Sequence, residues 1–138
     1  SFVPLRIPPG VDLRKTLNEH VFANGTRSGF VVAGIGSLVN PRVRLANASD
    51  ELTVAGPAEI LSLSGSLSEQ GAHIHIAVAN AQGQVVGGHL AYGSIVHTTV
   101  ELLLAQVPGY VLTRSPDSST GYLELVVGRS PPASDSAA

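Results

Sequence analysis

Four of the chain's five histidines fall between His73 and His97, and two of them, His73 and His75, stand two residues apart. On a strand that spacing sends both imidazoles out of one face, while Ile74, Ile76 and Val78 point the other way. Ala77 and Ala79 continue the histidine face with side chains too small to fill the space beside the rings. The next five residues, Asn80-Ala81-Gln82-Gly83-Gln84, fit a three-residue hairpin loop with glycine in the left-handed position. Such a loop pairs Asn80 with Gln84 and, counted back along the ladder, sets His75 opposite His89. A two-residue loop would shift the register and turn the pairing to the other face. Gly87 and Gly88, just ahead of His89, point to a bulge or a close backbone approach.

Three neutral imidazoles converging from two strands form a good ligand set for zinc or another divalent ion, with one position left for water or substrate. The expected ligands are therefore His73, His75 and His89. The plainer alternative is a set of structural, hydrogen-bonded histidines, and no local zinc-spacing motif is present. The chain has no cysteine, so metal binding rests on imidazole and carboxylate alone, and the redox compartment stays open. From Val96 to Val107 the set Val96, Thr98, Val100, Leu102 and Leu104 alternates with His97, Thr99, Glu101 and Leu103. Glu101 is the catalytic candidate. It would orient a metal ligand or act as general base toward a water held at the metal. The competing reading is a polar strand face at a subunit interface. His97 is not assigned as a ligand.

These residues carry a family resemblance. Gly65-x-Leu-x-x-x-Gly71-x-His73-x-His75, the later Gly83-x-Val-x-Gly87-Gly88-His89-Leu90, and Val96 to Glu101 resemble the core of the plants-and-prokaryotes conserved (PPC) domain. Leu5-Arg6-Ile7-x-Pro9-Gly10-x-Asp12-Leu13 is similar to that family's opening, and Gly34 to Leu38 and Pro57 to Gly65 to its next two blocks. The resemblance runs to about Gly128. It implies a compact α+β domain that assembles as a homotrimer, with a histidine cluster that binds zinc in some prokaryotic members. The matching positions are His73, His75 and His89. Family members commonly carry a glutamate where Glu101 stands, whereas His97 is outside the pattern. In plants the domain follows an AT-hook, and bacterial relatives carry a DNA-binding label for that reason.

This chain gives the label little support. Its net charge is −2 and its eight basic residues are scattered, whereas phosphate binding needs clustered cations. Arg42 and Arg44, two apart on an expected strand, are the nearest thing to a patch, and a solvated strand face accounts for them. Gly128-Arg129-Ser130-Pro131 only faintly resembles the Gly-Arg-Pro core of an AT-hook, and a lone arginine cannot hold a minor groove. Direct nucleic-acid binding is not expected.

The elements follow from periodicity. With 138 residues, 43% of them hydrophobic and 13% charged, the chain suits one domain with a real core. Such low charge implies apolar faces that meet other subunits. Phe2 to Ile7 reads as a strand. Asp12 reads as the N-cap of a helix whose Leu13, Leu17 and Val21 cover a sheet, closed by Asn24-Gly25, with His20 at the surface. Gly29 to Gly36 reads as a strand buried on both faces. Val43 to Ala46 and the surroundings of Leu52 suggest short strands. From Glu59 to Leu67, Leu61, Leu63 and Leu67 should face inward and Ser62, Ser64 and Ser66 outward. The serines lack a nucleophile elbow. Tyr110 to Thr113 and Tyr122 to Val127 read as the last strands around a polar loop.

The expected class is α+β: a mixed, largely antiparallel sheet with one main N-terminal helix, forming a single domain over residues 1–129 and a disordered tail over 130–138. No apolar run approaches the roughly 18 to 20 residues that span a bilayer, and no secretory start is seen, so a cytoplasmic protein is expected. Two functions fit: a homotrimeric zinc-binding module with room for a small-molecule ligand, or a zinc-dependent hydrolase or lyase acting on a small molecule.

Overall fold

The computed structural model describes residues 1–130, in ten strands and one helix. The strands are β1 (Phe2–Ile7), β2 (Gly29–Val39), β3 (Arg42–Arg44), β4 (Glu51–Thr53), β5 (Pro57–Ser68), β6 (Gly71–Asn80), β7 (Val85–Leu90), β8 (Ile95–Gln106), β9 (Tyr110–Pro116) and β10 (Leu123–Arg129), and the helix is α1 (Leu13–Glu19). Eight strands form one sheet in the order β1-β8-β2-β5-β6-β7-β3-β4, and β10-β9 stands as a separate hairpin. Every described ladder is antiparallel, as the α+β expectation requires.

One face of the large sheet carries the core. Leu13 and Leu17 of α1 pack there with Val31, Leu38, Leu63, Ile74, Ile76, Val78, Val100 and Leu104. Asp12 caps the helix as its sequence demands, accepting from the Lys15 N–H at 3.1 Å, and its other oxygen accepts from the Gly93 N–H at 2.8 Å. The helix is shorter than its apolar spacing predicts. It stops at Glu19, Val21 is exposed, and Phe22 is buried instead. Phe22 lies five residues after Leu17, off the helical stripe, so the chain must leave the helix for that ring to reach the core. Asn24-Gly25 makes a tight turn around it, with the Gly25 N–H donating to Phe22 O at 2.8 Å, rather than capping the helix. His20 is correspondingly not a plain surface residue: its ring meets Phe22 edge-on at 4.7 Å, and burial lowers its pKa.

The opposite face of the sheet is bare across the neighbouring strands β8, β2 and β5. The expectation that β2 is buried on both faces fails, because no element among the described residues covers this side: Phe30, Val32 and Ile35 are all exposed. In β5 the ladder to β6 shifts between Ile60 and Ser62. The extra residue flips strand parity, so Leu61 is 53% exposed while Leu63 and Leu67 stay in the core.

β9 and β10 run longer than their apolar runs suggested, and Gly128 and Arg129 belong to β10, with Arg129 stacked on Tyr110 at 4.9 Å. Ser130 still donates its N–H to Gly109 O at 3.0 Å. The rest of the expected tail, and Pro131 of the AT-hook-like fragment, lie outside the described residues. No helix among the described residues is long and apolar enough to cross a membrane.

Candidate metal centre

The hairpin between β6 and β7 closes as its loop predicts. Asn80 donates its N–H to Gln84 O at 2.9 Å, and Gly83 sits at φ +78. The resulting register pairs His75 with His89. Gly87 and Gly88 produce no bulge, since the ladder runs regularly through Ile76↔Gly88 and Ala77↔Gly87. They serve close approach instead: a Cβ on Gly88 would lie 2.6 Å from Arg44 O on β3.

All three expected ligands converge on the bare face. The ring centroids are 5.0 Å apart for His73 and His75, 4.8 Å for His75 and His89, and 5.5 Å for His73 and His89. One nitrogen from each ring lies within 4.8 Å of the others. Burial lowers the pKa of His73, helped by the charges of His75, Arg114, His89 and Arg14. Burial does the same at His89, with Arg44, His75 and Arg14 adding to it. A lowered pKa keeps the imidazole neutral, which is the form that donates a lone pair to a metal. The donor set therefore fits a divalent ion held by His73, His75 and His89.

Cross-strand pairing extends the site sideways. Ser64 stands opposite His75 and Ser66 opposite His73 on β5, while Arg44 on β3 stands opposite His89. Ser64, His75, His89 and Arg44 thus form one row across four strands. Beyond His75 and His89 the two strands separate, and Arg14 of α1 spans the gap, donating to Leu90 O at 2.7 Å and to Ala72 O at 2.8 Å. Arg114 of β9 donates to Ser66 Oγ at 2.6 Å. Two clefts of about 280 Å³ flank the cluster. One is lined by Ser62, Ser64, His75 and His89, the other by Arg14, Arg44, His73 and His89.

Glu101 is not brought to this cluster within one chain. It lies on β8, opposite Arg6 and Ile35, and β2 and β5 intervene before β6. Three strand spacings put it on the order of 14 Å away, beyond reach of a metal ligand or its water. Val96, Val100, Leu102 and Leu104 are buried as the alternation along β8 predicts, whereas Thr98 is exposed, and alternation does not reveal strand order. His97, on the same strand, is equally remote. Arg44, expected on a solvated strand face, instead meets Arg14 and Arg114 beside the histidines; α1, β3 and β9 supply the three from distant parts of the sequence, and no local pattern joins them.

Comparison with known proteins settles the family. The Plants and Prokaryotes Conserved (PCC) domain, the PPC domain, matches residues 1–108. The chain belongs to this family. Bifunctional protein GlmU of Synechococcus sp. (strain JA-3-3Ab) is 44% identical over 122 residues, which is 88% of this chain but 20% of that protein. The chain therefore spans about a fifth of the curated relative it matches. Among solved structures, a hypothetical protein from Salmonella enterica superposes with a TM-score of 0.88 at 32% identity, covering 94% of both chains. A metal-containing protein from Archaeoglobus fulgidus gives 0.76 at 25% identity, covering 91% of this chain and 93% of its own. A PPC protein from Pyrococcus horikoshii gives 0.75 at 25% identity, covering 89% and 90%.

Proposed function

We propose that this PPC domain works as a homotrimeric metal-binding module, holding zinc or another divalent ion through His73, His75 and His89. The convergence of three imidazole nitrogens within 4.8 Å carries the reading. Backbone pairing fixes two of the rings across a ladder, so most of the cost of assembling the ligands is met by folding. The Archaeoglobus relative, described as metal-containing, is consistent with it. The trimer is supported by the bare apolar face of β2 and β5, which a solvated monomer rarely leaves open.

A second reading is a zinc-dependent hydrolase or lyase acting on a small molecule. It is favoured by the clefts that border the histidines. The metal, when bound, would supply Lewis acidity at its open position. The protein's own part would fall to Ser62 and Ser64, whose hydroxyls line one cleft and can orient a substrate there. Glu101 has no role in this site unless a neighbouring subunit delivers it. Direct DNA contact is not part of either reading.

Metal content per chain, measured by elemental mass spectrometry on tag-free protein beside His75→Ala, tests the proposal. About one divalent ion per chain, lost in the variant, is the expected result. No metal in either protein after zinc is supplied would sink both readings.

A further inference from the structure

The charge around the histidines is opposite to what a bare dication prefers. Arg44 pairs with His89 in the ladder, Arg14 closes the gap beside His73 and His89, and Arg114 reaches the same face through Ser66. The acidic group lining the arginine cleft is Glu51, and Arg42 already neutralises it at 2.9 Å. A chain of net charge −2 thus gathers three of its eight basic residues around one small patch. Their donors are only partly committed. Arg44 makes a single hydrogen bond among the described residues, to Ala48 O at 3.2 Å, and the Nε of Arg14 is buried without a partner. Guanidinium forks match the planar or tetrahedral oxygens of carboxylates and phosphates.

We propose that the centre takes a small-molecule oxyanion, a carboxylate or phosphate group seated in the cleft between Arg44, Arg14, His73 and His89. This deepens the metal-centre reading and rests on it for the role of the histidines. The anion would offset the arginine charge beside the metal, so by reciprocity each should strengthen binding of the other. The cleft volume of about 280 Å³ suits a compact metabolite-sized group rather than a strand of nucleic acid, which needs an extended cationic track.

The test is a titration of inorganic phosphate, and separately of acetate, into metal-free and zinc-loaded protein at fixed low ionic strength. Histidine ring resonances are followed by nuclear magnetic resonance. The expected result is a saturable shift of the His73 and His89 signals by at least one anion, tighter in the loaded protein. Arg44→Gln, which removes the guanidinium fork and its charge, should weaken it about tenfold. Arg14→Gln, on the other guanidinium that lines this cleft, provides a second variant should the first misfold. Response to phosphate alone assigns a phosphate, and response to acetate alone a carboxylate. Saturable anion binding in a protein that takes up no metal supports the oxyanion site and removes the metal centre. No saturable shift in either form, or an unchanged affinity in both folded variants, overturns the proposal. Displacement of the anions by lower concentrations of duplex DNA overturns it as well.

Discussion

Glu69 shows how one side chain can secure a junction. Its Oε1 accepts from Thr26 Oγ at 2.7 Å, from the Arg27 N–H at 2.9 Å and from Ser28 Oγ at 3.1 Å. Ser28 in turn accepts from the Leu112 N–H at 2.9 Å, so the chain entering β2 is tied both to the β5–β6 turn and to β9. Burial alone pushes the Glu69 carboxyl up, but the three hydrogen bonds and the charge of Arg27 outweigh it and hold the pKa below its ordinary value. The ionised form is thus favoured more in the folded than in the unfolded chain. The stability it contributes is present above the usual carboxylate pKa of 4.5 and is lost as pH falls through the lower folded value. Glu69→Ala should cost about 1 to 3 kcal/mol near neutral pH and flatten the acid limb of stability against pH, measured by urea unfolding across pH 3 to 7. An acid limb unchanged from the parent would show that Glu69 is not the group that titrates.

At the scale of elements, the site depends on how closely β7 and β3 approach. Gly88 leaves no room for a side chain, because a Cβ there would meet Arg44 O at 2.6 Å and must displace backbone. Gly88→Ala should therefore destabilise by about 1 to 3 kcal/mol and push Arg44 away from His89. Thermal unfolding reads the first effect and a weaker zinc affinity the second. Gly83→Ala makes a useful contrast: it strains the loop at φ +78 but meets nothing within 4 Å. It should lower stability while leaving metal affinity nearly intact. The hairpin itself was legible in the sequence because its register rests on a five-residue loop and on alternation, both local. The end of α1, the bulge at Leu61 and the distance of Glu101 were not. Each is decided by packing or strand order, where Phe22 competes for the core and β2 and β5 slip between β8 and β6.

The molecule as a whole presents two unlike faces of one sheet. The first carries the core, with Leu13 and Leu17 of α1 packed into it, while Phe30, Val32, Ile35 and Leu61 stand open on the second, on strands away from the sheet's edges. Central strands with large apolar groups toward water are costly unless another surface covers them, and the proposed trimer supplies that surface. Glu101 lies beside Ile35 in the ladder. Its carboxylate therefore sits at the rim of the face that assembly would cover, the alternative its strand pattern had left open. Ile35→Glu discriminates the cases because Ile35 is 57% exposed in the single chain, so the change should hardly disturb the fold of a monomer. In an assembled interface the same substitution buries an unpaired charge and should shift the mass measured by light scattering from trimer to monomer. Circular dichroism should stay that of a folded β protein. Zinc content in the variant then carries a second answer. Metal retained in a folded monomer would place the three-histidine centre within one chain, and metal lost with the trimer would mean that a neighbouring subunit completes it. A parent protein that is monomeric at micromolar concentration would remove the trimer and leave the bare face for a different partner.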